Sequence, residues 1–553
     1  MNRRFIVAFV CLMSFFMIIA GRLVQLQIIE ADQWRAWAKR FQEGTVTIPA
    51  FRGRIYDRNG VLLAEDVRAI SVALDNYTMT RPEVLEELLV TQLKIPRATV
   101  REKLYRPSYF TWIARAISPE HAETLKEAAR QAGARGLLFL EDRKRQYPHR
   151  DLASNVLGFV GIDGRGLEGI ELFFDQELQG TESIWSFVRM ANGIQVERRQ
   201  IQAGHPGRDL TLTIDSRIQY IAENAITRGV RTYKAKAGIV VVMDPWTGEV
   251  LAMAQDKRYD LNNFQASRPE QRQNLAVVYP FEPGSSFKVF TMLAALEYNV
   301  IDLHERISGS ATYRIAHHTF RNADGREYGM VTPTDVIKNS INTAMIRIAQ
   351  RIGEERFYEA LKKYGFGQKT GIELPGEVSG YLPPVRSWSA LEIGSIAIGQ
   401  SLSVTAIQLA SRVALIANGG KLVHPKIVKA RTPPLGEGRE ERSIVPEGLC
   451  RQLTAMMIET VRSGTGILAQ IPGYTIAAKT GTAQKALPGQ GYVKGKYVAS
   501  FEGFFPAEAP KYLILVVLDE PGGREYYGSE TAAPIFREIA QQLIALDRIP
   551  PRP

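Results

Sequence analysis

An unbroken uncharged and mostly apolar run extends from Phe5 to Gly21, flanked by Arg3 and Arg4 before it and by Arg22, Leu23, Val24 and Leu26 after it. A bilayer span takes about 20 apolar residues, so Leu23 and Val24 complete one if the Arg22 stem reaches back to the interface. The pattern predicts a single membrane-spanning anchor over 5–24. Basic residues gather on the cytoplasmic flank, which places residues 1–4 in the cytoplasm and everything beyond about Leu26 outside it. A signal peptide cleaved near Ala20 is the competing reading, with Ile18 and Ala20 forming only a poor cleavage site. No later segment reads as a second span.

A helical pattern continues from Gln25 to about Arg40, and strand-like runs follow from Thr45 to Leu63, with Asn59-Gly60 marking a tight hairpin turn. Up to about residue 204 the chain mixes helices, such as Pro119 to Ala132, with strands and glycine-rich turns. A second regime then begins. A strand (Asp209 to Ile214) and a helix (Ser216 to Ile226) lead into a predicted hairpin, Ala237 to Met243 and Glu249 to Ala254, joined by Asp244-Pro245-Trp246-Thr247-Gly248. A long, mostly helical stretch runs from Ser285 to about Val461. Three more strands follow, Thr475 to Gln484, Phe501 to Phe505 and Tyr512 to Asp519, before a C-terminal helix from Pro534. Five strands bracketing a helical insert predict an α+β domain in which one antiparallel sheet, made from both ends, carries helices on each face.

Composition narrows the class. The chain has 553 residues, 45% hydrophobic and 23% charged, which suits two or three globular domains and excludes both wholesale disorder and a polytopic membrane protein. The net charge of +11 permits an anionic partner without choosing one. The densest basic stretch, Arg143-Lys144-Arg145 with Arg150, lacks interleaved aromatics, so it reads as a solvated face and no nucleic-acid partner is expected. Cys11 and Cys450 are too few and too far apart for a disulfide framework. The glycine series from Gly161 to Gly169 lacks the Lys-Ser/Thr ending of a phosphate loop and reads as turns. His317-His318 has no clear ligand set around it, so no metal or organic cofactor is expected.

Three short segments carry the candidate chemistry. In Phe281-Glu282-Pro283-Gly284-Ser285-Ser286-Phe287-Lys288, Pro-Gly punctuation before an apolar run marks a helix start. Ser285 then sits at the positive end of the helix dipole, with Lys288 on the same face one turn on. Such a lysine serves as a base only if desolvation or nearby positive charge removes its proton. About two Ser-x-x-Lys matches are expected by chance in a chain this long, so company is needed. Ser340-Ile341-Asn342 lies in an apolar helical stretch where Ser and Asn are mediocre helix formers. Lys479-Thr480-Gly481-Thr482 follows a strand, and a chance match is on the order of one in a hundred. There Gly481 leaves no side chain between backbone and ligand, Lys479 can bind a carboxylate, and Thr482 can offer its N–H beside that of Ser285 to an oxyanion.

In this order the three segments resemble the signature of penicillin-binding proteins and serine β-lactamases. The chain resembles a class B penicillin-binding protein, the monofunctional peptidoglycan D,D-transpeptidase, over nearly its whole length. Arg52-Gly53-Arg54-Ile55-Tyr56-Asp57-Arg58-Asn59-Gly60 through Ala64 is similar to that family's membrane-proximal pedestal motif, and Tyr527-Gly528 through Phe536 to its closing segment. Ile398-Gly399-Gln400-Ser401-Leu402-Ser403-Val404-Thr405 is more similar to the cell-division branch than to the elongation branch. The resemblance implies an elongated pedestal domain over 25–204, a connecting segment over 205–236, a β-lactamase-like transpeptidase domain over 237–547 and a tail over 548–553.

It also implies roles. Ser285 would attack the penultimate D-Ala carbonyl of a peptide stem, with Lys288 taking its proton and the terminal D-Ala leaving. Ser340 would relay a proton to the leaving amine, and Asn342 would orient the substrate and Lys288. Lys479, Thr480, Gly481 and Thr482 would hold the terminal carboxylate, and the N–H groups of Ser285 and Thr482 would form the oxyanion hole. The implied partners are peptidoglycan stems, β-lactam antibiotics, the lipid bilayer, a membrane-embedded glycan polymerase of the SEDS family and other division proteins. The alternatives are an elongation- or sporulation-type transpeptidase, a non-catalytic scaffold or sensor, and a β-lactamase, which would need neither anchor nor pedestal. The segment from Ala486 to Tyr497, with Pro488-Gly489-Gln490-Gly491, is expected to form a mobile flap.

Overall fold

The structure is a computed structural model of the chain, and it describes all residues except 1–2, 36–42, 109, 190–194, 431–442, 488, 490 and 552–553. It divides into two compact units that interleave along the sequence, the smaller of 1–53, 66–144 and 179–208 and the larger of 54–65, 145–178 and 209–553.

In the smaller unit a helix over Arg3–Val24 passes into a wider-wound turn at Gln25–Ile29, and together they are long and apolar enough to cross a membrane. Helical geometry resumes through Arg35, and the rest of the helix expected up to Arg40 lies outside the described residues. Strands Glu43–Ile48, Ser183–Arg189 and Gln195–Gln202 form a three-stranded antiparallel sheet. Elsewhere in this unit the helices Pro82–Leu93, Arg97–Leu104 and Pro119–Gln131 enclose Val72, Leu74, Leu85, Leu89, Leu104 and Leu125. Ser118 opens the last of these helices by accepting from the His121 N–H, with Pro119 behind it.

The larger unit is built on a five-stranded antiparallel sheet. Its strands are β1 (Ala237–Met243), β2 (Val250–Gln255), β3 (Ala477–Leu487), β4 (Gly491–Phe505) and β5 (Tyr512–Asp519), in the spatial order β2-β1-β5-β4-β3. Both faces of the sheet are buried, and the two-residue period of a strand sorts its side chains between them. Ile239, Val241 and Met243 of β1 join Leu513, Leu515 and Val517 of β5 in one core. Val240 and Val242 join Ile514, Val516 and Leu518 in the other. The second core is closed by α1 (Ser216–Thr232) and the C-terminal helix Ala532–Asp547. The first is closed by α2 (Lys288–Glu297), α3 (Asn342–Ile352), α4 (Ala406–Ala417) and α5 (Glu447–Ser463).

Several expectations shift in detail. A single boundary near residue 204 does not describe the compact units, because Ile55, Leu63, Tyr147, Val156, Leu157, Phe159 and Phe174 are buried in the core of the larger one. Burying those side chains draws their segments into that unit even though they precede it in the chain. The flap expected over 486–497 is mostly strand: β3 runs on to Leu487, β4 starts at Gly491, and Ala486 pairs with Tyr492. The helical insert also contains small hairpins, one of which, Thr312–Ile315 with His318–Arg321, leaves His317 and His318 exposed. The basic stretch is not uniformly a solvated face. Arg145 is buried, its Nε donating to Glu171 Oε1 at 2.7 Å, and Arg143 lies over the Phe51 ring. The C-terminal helix starts at Ala532, since a proline in a first turn leaves no helical bond unmade.

Candidate active site

The turn Gly284–Phe287 delivers Ser285 to the head of α2. Gly284 takes a φ of +56°, and a Cβ there would stand 2.7 Å from the Thr482 carbonyl, so the turn lies directly against β3. The same turn is fastened on its other side: Phe281 and Val404 exchange backbone hydrogen bonds at 2.9 Å, and the Gly284 N–H donates to the Gly399 carbonyl at 2.9 Å.

Lys288 is fully buried in the first turn of α2, with its Nζ 3.1 Å from Ser285 Oγ. The same nitrogen lies 2.6 Å from the Ser340 carbonyl, 3.1 Å from Ser340 Oγ and 2.5 Å from Asn342 Oδ1. All of these neighbours are neutral oxygens. Burial holds the Lys288 pKa well below the ordinary lysine value, the charge of Lys479 lowers it further, and Asp324 opposes both as the last of the three influences. A lysine whose ammonium form is disfavoured in this way is suited to take a proton from the serine beside it.

Ser340 lies between the short helix Pro333–Lys338, which Asn339 caps, and α3, in a left-handed conformation with φ of +57°. A non-glycine residue held there is strained, and such strain collects at functional sites. Here it sets Ser340 Oγ between two lysines, 3.1 Å from Lys288 Nζ and 2.9 Å from Lys479 Nζ. Asn342 is fixed from behind, its Nδ2 donating to the Arg321 carbonyl at 2.8 Å.

β3 carries the third segment along the outer edge of the sheet, where every second N–H is free of a ladder partner and open to a ligand. Lys479 is fully buried, and its Nζ also donates to the Thr480 carbonyl at 3.1 Å. Thr480 Oγ1 bonds Thr465 Oγ1 at 2.9 Å, and Thr482 Oγ1 accepts from the Gly528 N–H at 3.0 Å. Gly481 has no room for a side chain: a Cβ would meet Ser500 Oγ at 2.2 Å. All eight residues singled out in the sequence therefore converge on one cleft.

The structure adds members that the motifs do not contain. Ser286 Oγ donates to Glu502 Oε2 at 2.6 Å and bonds Ser500 Oγ at 2.9 Å, behind the nucleophile. Glu282 is largely buried two residues before Gly284, accepting from the Ser401 N–H at 3.0 Å and from Tyr492 OH at 3.1 Å. Burial pushes its pKa up to about 7. The signal for Glu502 was a lone acid in the apolar strand Phe501-Glu502-Gly503-Phe504-Phe505, a residue that enters a core only with a partner.

Residues 47–212 match the family described as penicillin-binding protein dimerisation domain, and residues 238–541 match penicillin binding protein transpeptidase domain. The peptidoglycan D,D-transpeptidase FtsI of Escherichia coli K12 is 30% identical over 98% of this chain and 91% of its own length. The stage V sporulation protein D of Bacillus subtilis is 31% identical over 97% of this chain and 84% of its own length. Among solved structures, penicillin binding protein 3 from Mycobacterium tuberculosis complexed with aztreonam superposes with a TM-score of 0.71 at 29% identity, over 92% of this chain and 98% of that one.

Proposed function

Since the chain belongs to the class B penicillin-binding proteins, we propose that Ser285, Lys288, Ser340, Asn342 and Lys479 are its catalytic residues as a serine peptidoglycan D,D-transpeptidase. The observation that carries the residue roles is Lys288 Nζ at 3.1 Å from Ser285 Oγ, fully buried among neutral oxygens. Lys288 takes the hydroxyl proton as Ser285 Oγ bonds to the carbonyl carbon of the penultimate D-Ala. The N–H groups of Ser285 and Thr482 stabilise the oxyanion, an arrangement supported by the close approach of Gly284 to the Thr482 carbonyl. Lys479, with Thr480, Gly481 and Thr482, holds the terminal carboxylate. When the peptide bond breaks, the proton passes from Lys288 through Ser340 to the leaving nitrogen of D-Ala. The amine of a second stem then attacks the acyl-enzyme and forms the cross-link. A β-lactam enters by the same first step and leaves a slowly hydrolysed adduct.

The test is intact-mass analysis of the purified protein with a penicillin, followed over hours. One persistent adduct is expected on the native protein and none on Ser285→Ala. An adduct on Ser285→Ala, or rapid loss from the native protein, overturns the reading.

The segment from Ile398 to Thr405 supports a place in septal synthesis. Depletion in the native host then gives filaments without completed septa, whereas rounded cells favour the elongation type and a defect confined to spores the sporulation type. Arg3 and Arg4 support a cytoplasmic N-terminus with the rest of the chain beyond the membrane. Labelling of an introduced surface cysteine by an impermeant thiol reagent in intact spheroplasts checks that orientation. A SEDS-family glycan polymerase is the partner the family implies, and co-purification from detergent-solubilised membranes tests it.

A further inference from the structure

Glu502 is fully buried. It stands opposite Lys479 in the ladder between β3 and β4, so the two side chains share one face of the sheet. One of its oxygens accepts from Ser286 Oγ at 2.6 Å, while the other is buried with no hydrogen-bond partner among the described residues. On its other flank the ladder partner in β5 is Leu515, which is apolar. Lys479 Nζ is held by Ser340 Oγ and the Thr480 carbonyl, so the carboxylate acts on it through space.

The two buried lysines thus differ in their surroundings. Burial lowers the pKa of both, yet Lys288 gains the neighbouring charge of Lys479 as a second lowering influence, whereas Lys479 has Glu502 to oppose the effect. Burial raises the pKa of Glu502 in turn, against the Ser286 hydrogen bond and the charge of Lys479. A cleft that must bind a carboxylate and also hold a neutral base needs one lysine of each kind. We propose that Glu502 is a positioning residue that keeps Lys479 in its ammonium form, ready for the substrate carboxylate, without itself touching substrate. The groups facing Glu502 are Lys479 from β3 and Ser286 from the nucleophile turn, with Leu515 on β5 and Lys288 as the next titratable group beyond Ser340. The inference rests on the transpeptidase reading of the cleft and deepens it.

The test is the second-order rate of acylation of the full chain by a penicillin, measured from acid to alkaline pH. The native protein is compared with Glu502→Gln, Glu502→Leu and Ser286→Ala, with a melting curve for each. In Glu502→Gln the amide still accepts from Ser286 but carries no charge. Its alkaline limb, where Lys479 loses its proton, moves down by about one pH unit or more, a loss of about tenfold in rate on that limb. Ser286→Ala keeps the carboxylate and loses only its hydrogen bond, so it moves the limb by less than Glu502→Gln does. Glu502→Leu relieves a buried charge with an apolar side chain of similar size and carries the test if the amide variant fails to fold. A native alkaline limb in the folded Glu502 variants, or an equal displacement in Ser286→Ala, overturns the proposal. Absence of Ser285 acylation in the native protein overturns the transpeptidase reading instead, so the two failures are distinct.

Discussion

A methyl group on the α-carbon of Gly481 would stand 2.3 Å from Ser286 Oγ, so the substrate-binding strand and the nucleophile turn meet with no space between them. The Pro283 carbonyl would lie 2.8 Å from the same methyl, and backbone cannot swing aside as a side chain can. Gly481→Ala therefore forces β3 off the turn, costing ~1–3 kcal/mol of stability and roughly a hundredfold in acylation. Denaturant unfolding and penicillin labelling check the two together; a native labelling rate would mean that the strand yields at no cost.

Lys288 is buried for chemistry and not for stability. Lys288→Met replaces an amine-tipped stem by an apolar side chain of similar length in a site that is fully buried. The variant is expected to melt no lower than the native protein and to acylate about 10²–10⁴-fold more slowly. A large fall in melting temperature would show that the lysine holds the cleft together.

The pH dependence on the acid side follows from the same group. Ser285 needs Lys288 neutral, so acylation rises as pH climbs through the Lys288 pKa. Burial and the charge of Lys479 hold that value well below 10.5, so the rise ends well short of pH 10.5. A rate still climbing at that pH would show that Lys288 is an ordinary charged lysine near neutrality.

Glu282 links pH to stability. Its pKa is raised by burial from 4.5 to about 7, so the folded state binds this proton more tightly than the unfolded chain does. The resulting stability is fully present below about pH 4.5 and is lost as pH rises through about 7, up to ~3 kcal/mol in all. Glu282→Gln keeps an acceptor for Ser401 and Tyr492 but removes the proton. The difference in unfolding free energy between variant and native protein should move in favour of the variant by about that amount from pH 4.5 to pH 8. A difference that stays flat over this range would refute the assignment.

Arg145 and Glu171 form a buried ion pair at 2.7 Å, and Tyr147 OH also donates to Glu171. Glu171→Ala removes the carboxylate that pairs with the buried Arg145 guanidinium and is expected to cost ~3–5 kcal/mol. Adding Arg145→Met to that variant restores most of the loss. Urea midpoints of the single and double variants measure it, and equal midpoints would remove the pair from any structural role.

How much could be read from the sequence depended on the distance over which each feature is encoded. Ser285 and Lys288 lie on one helical turn, so their spacing already carries the geometry; β1 and β5 announce themselves by the aliphatic runs Ile239 to Val242 and Leu513 to Leu518. Glu502 is different, because its role arises from a cross-strand pairing with Lys479 that no local spacing records. Arg145 read as surface for the same reason: its partner Glu171 lies in a separate segment. The extension of β3 and β4 was masked by Pro488, Gly489 and Gly491, which signal a turn strongly enough to hide the strand residues on either side.

The order of strands in the sheet has a consequence for biosynthesis. β5, which leaves the ribosome after the other four strands of the sheet, is the central one, with β1 on one side and β4 on the other. Until it arrives, the hairpin of β1 and β2 has no hydrogen-bonded link to the pair that carries Lys479. Ser285 and its base lie between those halves in the chain and cannot be brought against β3 before then. A nascent or truncated chain that lacks β5 therefore exposes a serine of ordinary reactivity, and the power to form a covalent bond appears only after β5 has been made.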